Sequence, residues 1–316
     1  MEIAQHVTNH NNLSKSKWLH EIDGVVFKAD DQIIQTQPRK PICNLDSLPF
    51  PAYHLLRLDR YDPHPFLGVV STGLLTYRGC PMRCVFCNNP LDRLVRYRTP
   101  EKVVDEMAWV ADELGVCGFN CYDNLFGLSG SHAMEVCNQI TQRGLNVTWD
   151  AWTAGHLIYT ELAQSMKEAG CIRVGFGAES GDDRILAKAQ RGFTAEQHLA
   201  GIRALKTAGI HVQLFFMIGL PGESQESIRN TIEFATHSEA DDVCLSLHRP
   251  YPGSVVWRIP EAFDVRITKG PNFEAYIETD SLSRTALLEC TEQAQNELIN
   301  RGINCDVLRC DRYSWE

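Results

Sequence analysis

From about Val69 onward, short apolar segments alternate with amphipathic segments, which is the pattern of successive β-strand and α-helix units. Right-handed connections between such units build a parallel sheet that curves into a barrel. The sequence therefore predicts an α/β fold, a partial (β/α)6 barrel. Its six strands are predicted at Val70–Tyr77, Val116–Tyr122, Asn146–Trp152, Ile172–Gly177, His211–Ile218 and Asp242–Leu247.

Capping signals predict where the helices between these strands begin and end. A Thr-Pro pair at residues 99–100 is typical of a helix start, and an apolar stripe follows it as far as Gly115. Thr194 and Gln197 have the spacing of a capping box, and the helix that they begin is predicted to end at Gly209. Two further helices are predicted near Ser131–Arg143 and Glu161–Ala169.

The segments on either side of the barrel pattern predict a three-part organisation. Alternating apolar and polar residues at Ile22–Thr36 indicate a small hairpin, and a Pro-rich connector follows at Pro38–Pro65. The predicted parts are an N-terminal hairpin and linker at 1–66, the barrel at 67–255 and a mostly helical C-terminal extension at 256–316 with a helix at Ser281–Asn300.

Composition and charge narrow the class of protein. Of the 316 residues, 44% are apolar and 22% are charged, which is typical of a folded globular chain. The net charge of −10 offers no general basic surface for a phosphate backbone, so nucleic acid is not an expected partner. Apolar stretches are too short to span a bilayer, and Met1–Lys17 lacks a secretory signal, so we expect a cytoplasmic protein with no membrane segment.

Three of the twelve cysteines form the main chemical signal of the sequence. Cys80, Cys84 and Cys87 have the spacing C-x3-C-x2-C directly after the first predicted strand, and Phe86 precedes the last of them. Three thiolates on one loop can bind three irons of a cubane cluster and leave the fourth iron without a protein ligand. A zinc site or a ferredoxin cluster commonly needs a fourth cysteine nearby, and the next one is Cys117 on another strand.

This motif resembles the signature of the radical S-adenosylmethionine (SAM) superfamily. The resemblance implies a radical SAM barrel in which Cys80, Cys84 and Cys87 bind a [4Fe–4S] cluster and the open iron binds SAM. It further implies that an electron donor such as flavodoxin or ferredoxin reduces the cluster, and that SAM is cleaved to methionine and a 5′-deoxyadenosyl radical. The expected protein is therefore an iron–sulfur enzyme of biosynthesis.

Motifs at the predicted strand ends match positions where this family contacts SAM, at the carboxyl edge of the barrel. The second strand ends in Cys-Tyr-Asp-Asn, the fourth in Gly-Phe-Gly-Ala-Glu-Ser-Gly and the fifth in Met-Ile-Gly-Leu-Pro-Gly-Glu. We regard Glu179 as the strongest carboxylate candidate, and its neighbour Ser180 has the alternative role of capping the next helix. The resemblance implies SAM-binding roles for Phe86, Tyr122, Asp123, Glu179, Ser180, Ile218 and Gly219.

Residues 24–51 resemble the linker that joins a cobalamin-binding domain to the barrel in one subgroup of the family. Fewer than seventy residues precede the barrel, and the cobalamin motif D-x-H-x-x-G is absent from the sequence. We therefore expect hydrogen abstraction from a small organic substrate, followed by dehydration, decarboxylation, epimerisation or rearrangement. The alternatives are a cobalamin-linked methyltransferase that works with a separate partner, a tRNA-modifying radical SAM enzyme and a non-catalytic iron–sulfur or SAM-binding subunit.

Three cysteines near the C-terminus, Cys290, Cys305 and Cys310, lie outside the motif. One of them could return a hydrogen atom to a substrate radical, and together they could bind a second cluster. Packing is the simpler explanation, because free cysteines are commonly buried and auxiliary clusters have more closely grouped ligands.

Overall fold

The structure of the chain, a computed structural model, describes residues 3–4, 16–29, 31–88, 93–269 and 275–308. The chain divides into two compact units, Met1–Asn44 and Leu45–Glu316. The first unit contains an antiparallel hairpin of β1 (Val26–Ala29) and β2 (Gln32–Gln35), with Val26 opposite Gln35. This is the hairpin that the sequence predicts, whereas the division at residues 66 and 255 stays a prediction.

The second unit is built on one parallel sheet of seven strands. From one edge to the other, these are β13 (Asn304–Leu308), β10 (Asp242–Leu247), β9 (His211–Ile218), β8 (Cys171–Glu179), β7 (Thr148–Thr153), β6 (Gly118–Cys121) and β3 (Ser71–Leu74). All six predicted strands are present. Among the described residues the edge strands β13 and β3 do not pair, so the barrel is open, as the sequence predicts.

Helices connect the strands, and the predicted capping residues begin them. The Thr99 side chain accepts a hydrogen bond from the Lys102 amide, and Thr194 and Gln197 form the predicted capping box. The helices are α1 (Pro100–Leu114), α2 (Gly130–Gln142), α3 (Thr160–Glu168), α4 (Asp183–Lys188), α5 (Ala195–Thr207), α6 (Gln225–His237), α7 (Val255–Arg258) and α8 (Arg284–Asn300). No helix of the described segments is long and apolar enough to cross a bilayer.

The C-terminal extension contains strands that the sequence does not predict. Besides α8, it forms an antiparallel pair of β11 (Val265–Lys269) and β12 (Ala275–Thr279), and β13 adds to the barrel sheet beside β10. Another short antiparallel pair, β4 (Tyr77–Arg78) and β5 (Arg96–Tyr97), flanks the cysteine motif. Cys310 lies outside the described residues.

The two faces of the sheet have different chemistry, because successive side chains of a strand point to opposite faces. One face packs against the helices, where Phe119, Val174 and Leu214 belong to the same core as Val103 of α1 and Ile202 of α5. Each of these side chains is fully buried. Burial of such a side chain stabilises the fold by roughly 1.5–3 kcal/mol, so this core is the main support of the barrel.

The other face carries a row of buried polar residues that crosses the sheet. Asn120 accepts a hydrogen bond from the Ser71 hydroxyl at 2.6 Å and donates to Asp150 at 3.0 Å. Asp150 pairs with the Arg173 guanidinium at 2.8 Å, and Arg173 in turn donates to Gln213. These five residues come from five neighbouring strands, so their hydrogen bonds fix the strands against one another. None of the five is the last residue of its strand, so the network leaves the carboxyl edge of the sheet available for a site.

Candidate active site

The cysteine motif forms a loop at the carboxyl edge of the sheet, and the barrel anchors it at several points. Asp123, just after β6, accepts hydrogen bonds from the Thr76 amide at 2.8 Å, the Thr76 hydroxyl at 2.5 Å and the Tyr77 amide at 3.3 Å. Within the loop, the Val85 amide donates to the Ala189 carbonyl at 3.1 Å. The loop therefore has a fixed path between β3 and the helix α4.

All three motif thiols line one cavity of about 210 Å³. Cys84 is buried, Cys80 is half-buried and Cys87 is exposed. Burial raises the pKa of the Cys80 thiol, and the neighbouring thiols of Cys84 and Cys87 raise it further. Three thiolates in one cavity would repel one another unless a cationic centre neutralised them.

The donor set, three cysteines of one loop that line one cavity, has the kind and number of ligands that a protein supplies to three irons of a cubane. In a cubane each thiolate binds a different iron, so the thiols are separated by the width of the cluster. Three cysteines that line one cavity supply one thiolate for each of three irons.

Glu179 lies at the end of β8, where an irregularity in the sheet turns its side chain. The pairing of β8 with β9 shifts between Gly177 and Glu179, and Glu179 has a left-handed backbone with φ 66°. A shift of this kind bends the strand and redirects a side chain, and a non-glycine residue in this conformation is strained. The Glu179 side chain thereby reaches the wall of the cysteine cavity.

Gly177 makes room for that carboxylate. A Cβ atom at position 177 would lie 2.8 Å from Glu179 Oε1 and 3.3 Å from Arg191 Nη2. A Cβ atom does not come this close to an atom to which it is not bonded, so any larger residue at this position would displace the carboxylate. The second glycine of the Gly-Phe-Gly-Ala-Glu-Ser segment is therefore needed to leave space for the Glu179 carboxylate.

Arg191 connects the Glu179 carboxylate to the cysteine loop. Its guanidinium donates to Cys84 Sγ at 3.2 Å and to the Gly177 carbonyl at 2.6 Å, and its Nη2 lies 3.6 Å from Glu179 Oε1. Its Nε is buried and has no partner among the described residues. Burial raises the pKa of the Glu179 carboxyl, whereas the Arg191 charge opposes this rise. The pair is therefore a polar centre in a cavity wall that also includes the apolar side chains of Phe86 and Leu125.

The predicted SAM residues at the second strand end take different positions. Tyr122 is 61% exposed, and its ring lies over Gly73, where a Cβ atom would approach it to 3.0 Å. The Asp123 carboxylate is buried and accepts from the loop backbone, as described above. The next residue, Asn124, lines the cysteine cavity. The role of Asp123 as an acceptor for SAM stays a prediction. Asn124, at the same strand end, is a second candidate for a SAM contact, because it lines the cavity and Asp123 does not.

The remaining predicted residues also lie at the carboxyl edge of the sheet. Ser180 is buried, and its hydroxyl lies 3.2 Å from that of Thr231 and accepts from the Asp182 amide. Ile218 is buried at the end of β9, and Gly219 follows it with φ 97°. Ser180 therefore has a structural role near the start of α4, while its contact with SAM stays a prediction.

Phe86 links the cysteine cavity to His248 at the end of β10. Phe86 lines the cavity, and its ring meets the His248 ring edge to face with centroids 6.3 Å apart. His248 Nδ1 lies 3.1 Å from the Gly219 carbonyl. Burial lowers the pKa of His248 to about 4, so the ring is neutral at physiological pH.

Several residues of this edge are absent from the predicted set, among them Arg191, Asn124 and His248. A signal for Asn124 was present, because it directly follows the Asp123 that we named. Arg191 offers no such signal, because it stands beyond α4 and meets Cys84 across the fold rather than along the chain. The tail cysteines Cys290 and Cys305 are buried, in agreement with the packing interpretation.

Comparison with known proteins matches the Radical SAM superfamily to residues 74–235. An uncharacterized methyltransferase of Pyrococcus horikoshii is 34% identical over 301 residues, which cover 94% of this chain and 64% of that protein. Cytidylyl-2-hydroxyethylphosphonate methyltransferase of Streptomyces wedmorensis is 26% identical over 274 residues, which cover 75% of this chain and 51% of that protein. The chain thus spans between half and two thirds of the length of these relatives.

Among solved structures, the radical S-adenosylmethionine methyltransferase TsrM from Kitasatospora setae, with cobalamin and a [4Fe–4S] cluster bound, superposes with a TM-score of 0.72. The superposition covers 100% of this chain and 69% of that chain at 17% sequence identity. At this level of identity the likeness extends to the fold, and it includes the open barrel described above.

Proposed function

Because this chain belongs to the radical SAM superfamily of enzymes, which matches its residues 74–235, we propose that Cys80, Cys84 and Cys87 bind a [4Fe–4S] cluster whose open iron binds SAM. The observation that carries this proposal is the shared cavity: all three thiols, Glu179 and Arg191 line it together. When bound, the cluster supplies an electron to the SAM sulfonium, which yields methionine and a 5′-deoxyadenosyl radical.

Each residue at the cavity has a distinct task in this proposal. The three thiolates bind the cluster, and the Arg191 hydrogen bond to Cys84 Sγ withdraws charge from one of them. Glu179, paired with Arg191, accepts hydrogen bonds from the amino or ribose hydroxyl groups of SAM. Phe86 covers the cavity wall with an apolar ring and keeps water from the reacting atoms. A flavodoxin or ferredoxin supplies the electron.

The proposed reaction is hydrogen abstraction by the radical from a small organic substrate. In this proposal, the cysteines bind the cluster and the strand-end residues bind SAM. Hydrogen abstraction requires that SAM is cleaved first. We propose no role in nucleic-acid binding, since the chain carries a net charge of −10.

Methyl transfer is the second candidate, and the comparisons favour it. Both curated relatives described above carry methyltransferase names, and one of them is similar over 94% of this chain. The solved TsrM structure is that of a methyltransferase with cobalamin bound. In this second proposal, the chain works with a cobalamin that another protein segment or a partner binds, because the motif D-x-H-x-x-G does not occur in its sequence.

Product analysis distinguishes the two candidates. The anaerobically reconstituted protein is reduced with titanium(III) citrate, given SAM with and without hydroxocobalamin, and assayed for nucleoside products by chromatography. Hydrogen abstraction predicts 5′-deoxyadenosine and methionine without cobalamin. Methyl transfer predicts S-adenosylhomocysteine only with cobalamin, because the reduced cobalamin accepts the methyl group of SAM. Cys84→Ala should abolish both products, and Cys290→Ala, which removes a buried thiol outside the motif, should retain them. SAM that remains intact beside an assembled cluster would contradict both candidates.

A further inference from the structure

Positive charge is concentrated in the segment that carries the cysteine motif, although the chain as a whole is acidic. Between Thr76 and Arg98 the sequence has five arginines, no lysine and one acidic residue, Asp92, whereas the whole chain has a net charge of −10. The five arginines are Arg78, Arg83, Arg93, Arg96 and Arg98. The cluster ligands are the three cysteines, so the arginines need an explanation of their own.

Arg98 differs from the other four arginines because the fold neutralises its charge. Its guanidinium pairs with the buried Glu106 carboxylate at 2.6 Å and donates to the Leu75 carbonyl at 2.9 Å. Arg98 therefore has a structural role just before α1. We call the other four, Arg78, Arg83, Arg93 and Arg96, the arginine rim.

Contacts place the arginine rim along the cysteine loop. Arg93 lines the cysteine cavity, and its Nη1 donates to the Met82 carbonyl of the loop at 2.7 Å. Arg83 directly follows Met82 in the chain. Arg78 ends β4, and it lies opposite Arg96 in the antiparallel pairing of β4 with β5. The rim therefore borders the cavity in which the three thiols lie.

Three arginines of the rim present their charge to the solvent. Arg78, Arg83 and Arg93 are exposed, and no carboxylate of the described residues forms an ion pair with any of them. The carboxylate of the cavity wall, Glu179, is already paired with Arg191. Water and salt screen exposed charges from groups inside the protein, so these arginines act mainly on charged molecules that approach the surface.

The pairing of Arg78 with Arg96 does not serve the stability of the short ribbon. Residues directly opposite each other in an antiparallel pair have Cβ atoms about 5 Å apart, and like charges at such positions destabilise the pair. An acidic residue at either position would stabilise β4 and β5 instead. A local arrangement that opposes stability is typical of a functional surface.

The exposed thiol of the motif lies on the same loop. Cys87 is the exposed member of the three cysteines, and it lines the same cavity as Arg93. A cluster bound through Cys87 therefore comes close to the protein surface, where another protein can bring a redox centre near it. A positive surface beside this point attracts a partner of negative charge and speeds its association.

We propose that the arginine rim is the docking surface for a small acidic one-electron carrier protein, which binds with its redox centre next to Cys87. This inference rests on the proposed function, because the electron serves the cleavage of SAM. The carrier loses one electron and the oxidised cluster gains it, so no covalent bond forms or breaks in the exchange. Nucleic acid is the other polyanion that a basic surface attracts, and the test includes it.

The test measures electron exchange with a flavodoxin, an acidic protein whose flavin lies at its surface. The reconstituted chain is reduced with titanium(III) citrate, freed of the reductant and mixed with oxidised flavodoxin in a stopped-flow spectrometer. The same surfaces meet in this direction, and each electron forms, with one proton from water, a blue flavin semiquinone. Its absorbance gives the second-order rate constant. This constant should fall about tenfold between about 0.01 M and 0.15 M salt, because salt screens the attraction.

A matched pair of double variants tests the location of the charge. Arg78→Glu with Arg83→Glu reverses two charges of the rim. Arg203→Glu with Arg229→Glu reverses two exposed charges on α5 and α6, so the two variants have the same net charge. At low salt the rim variant should react about tenfold more slowly than the wild type and lose its salt dependence, while the control should retain both. Equal rates in the two variants would overturn the proposal, and so would a wild type that does not react.

Two further variants separate charge from folding. Arg78→Lys with Arg83→Lys retains the charges, so it should retain the wild-type rate and its salt dependence. Arg78→Glu alone replaces a like-charge pair in the ribbon by an opposite-charge pair with Arg96, so it should retain the fold and still slow the exchange. A single variant with wild-type rates at all salt concentrations would contradict the role of the rim.

The outcomes distinguish this inference from the proposed function. Neither Arg78 nor Arg83 lines the cysteine cavity, so the rim variant should still assemble its cluster and cleave SAM when titanium(III) citrate is the reductant. A wild-type chain that assembles no cluster would count against the proposed function. An assembled cluster that exchanges electrons equally well in the wild type and the rim variant would count against this inference alone. If the rim variant instead loses binding of transfer RNA that the wild type shows, with electron exchange unchanged, the rim is a nucleic-acid surface and the proposal is overturned.

Discussion

The buried pair of Arg191 and Glu179 gives the sharpest test of the site's electrostatics. Arg191 Nη2 and Glu179 Oε1 lie 3.6 Å apart, and their side chains are 8% and 13% exposed. At an effective dielectric constant of about 20, two unit charges at this distance attract each other by roughly 4–5 kcal/mol. Desolvation offsets part of this gain, so we expect a coupling free energy of about 2–4 kcal/mol.

A double-mutant cycle measures this coupling. Arg191→Met, Glu179→Gln and the double variant are compared with the wild type by urea unfolding of the cluster-free chain under reducing conditions. Arg191→Met alone should lower the free energy of unfolding by about 3–5 kcal/mol, because it leaves a buried carboxylate without its partner. The double variant should lose less than the sum of the two single variants, by the coupling given above.

Arg184→Met is the matched control for this cycle. Arg184 also pairs with a carboxylate, that of Asp182 at 2.8 Å, but its side chain is 64% exposed. Its removal should therefore change the free energy of unfolding far less than the removal of Arg191. Additive losses in the Arg191–Glu179 cycle, to within about 0.5 kcal/mol, would refute the reasoning.

The same pair predicts a pH effect with a defined sign. Burial raises the pKa of Glu179 above its unfolded value, so the folded state favours the protonated carboxyl, and stability is lost as pH rises through the folded-state pKa. Arg191 opposes this rise in pKa. Arg191→Met should therefore lose stability more steeply than the wild type as pH rises above the ordinary glutamate pKa of about 4.3, and parallel pH profiles would contradict this account.

Three further predictions concern neighbouring residues. Gly177→Ala should retain the fold and raise the dissociation constant of SAM measured by calorimetry, because its Cβ would lie 2.8 Å from the Glu179 carboxylate. An unchanged affinity for SAM would argue against a role for that carboxylate. Asp123→Ala should cost roughly 2–3 kcal/mol in urea unfolding and lower the iron content, because the loop amides lose their acceptor; wild-type values for both would contradict the anchoring role. Burial raises the pKa of Glu223 to about 7. The free energy of unfolding of the wild type should therefore fall by roughly 3 kcal/mol as pH rises from about 4.5 to 7. Glu223→Gln should remove this dependence on pH, and a dependence that persists would show that other groups cause it.

The parts of the fold with local signals could be predicted from the sequence. The six strands stand out because a strand inside a parallel sheet reads as a continuous apolar segment, and the helices begin at residues such as Thr99 and Thr194 whose side chains cap them. The strand β13 lacks such a signal. It lies at an edge of the sheet, and its sequence Asn-Cys-Asp-Val-Leu alternates polar and apolar residues within a short span.

The site could be predicted only as far as its chemistry lies in contiguous sequence. The spacing of the three cysteines and the strand-end segment with Glu179 identify residues that the structure brings to one cavity. Arg191 reaches Cys84 across the fold, and no local pattern indicates that contact. Asp123 shows a second limit of prediction from the sequence. The sequence places a carboxylate at a strand end, but whether it meets a ligand or the amides of Thr76 and Tyr77 depends on tertiary packing.

The most direct test of the central claim is the assembly of one [4Fe–4S] cluster at the cysteine motif. The protein is reconstituted anaerobically with iron and sulfide, reduced with dithionite, and examined by electron paramagnetic resonance with and without SAM, alongside Cys84→Ala and Cys290→Ala. The account predicts a reduced-cluster signal that SAM shifts in the wild type and in Cys290→Ala, and no such cluster in Cys84→Ala. A cluster signal of full intensity in Cys84→Ala, or a wild-type signal that SAM leaves unchanged, would contradict it.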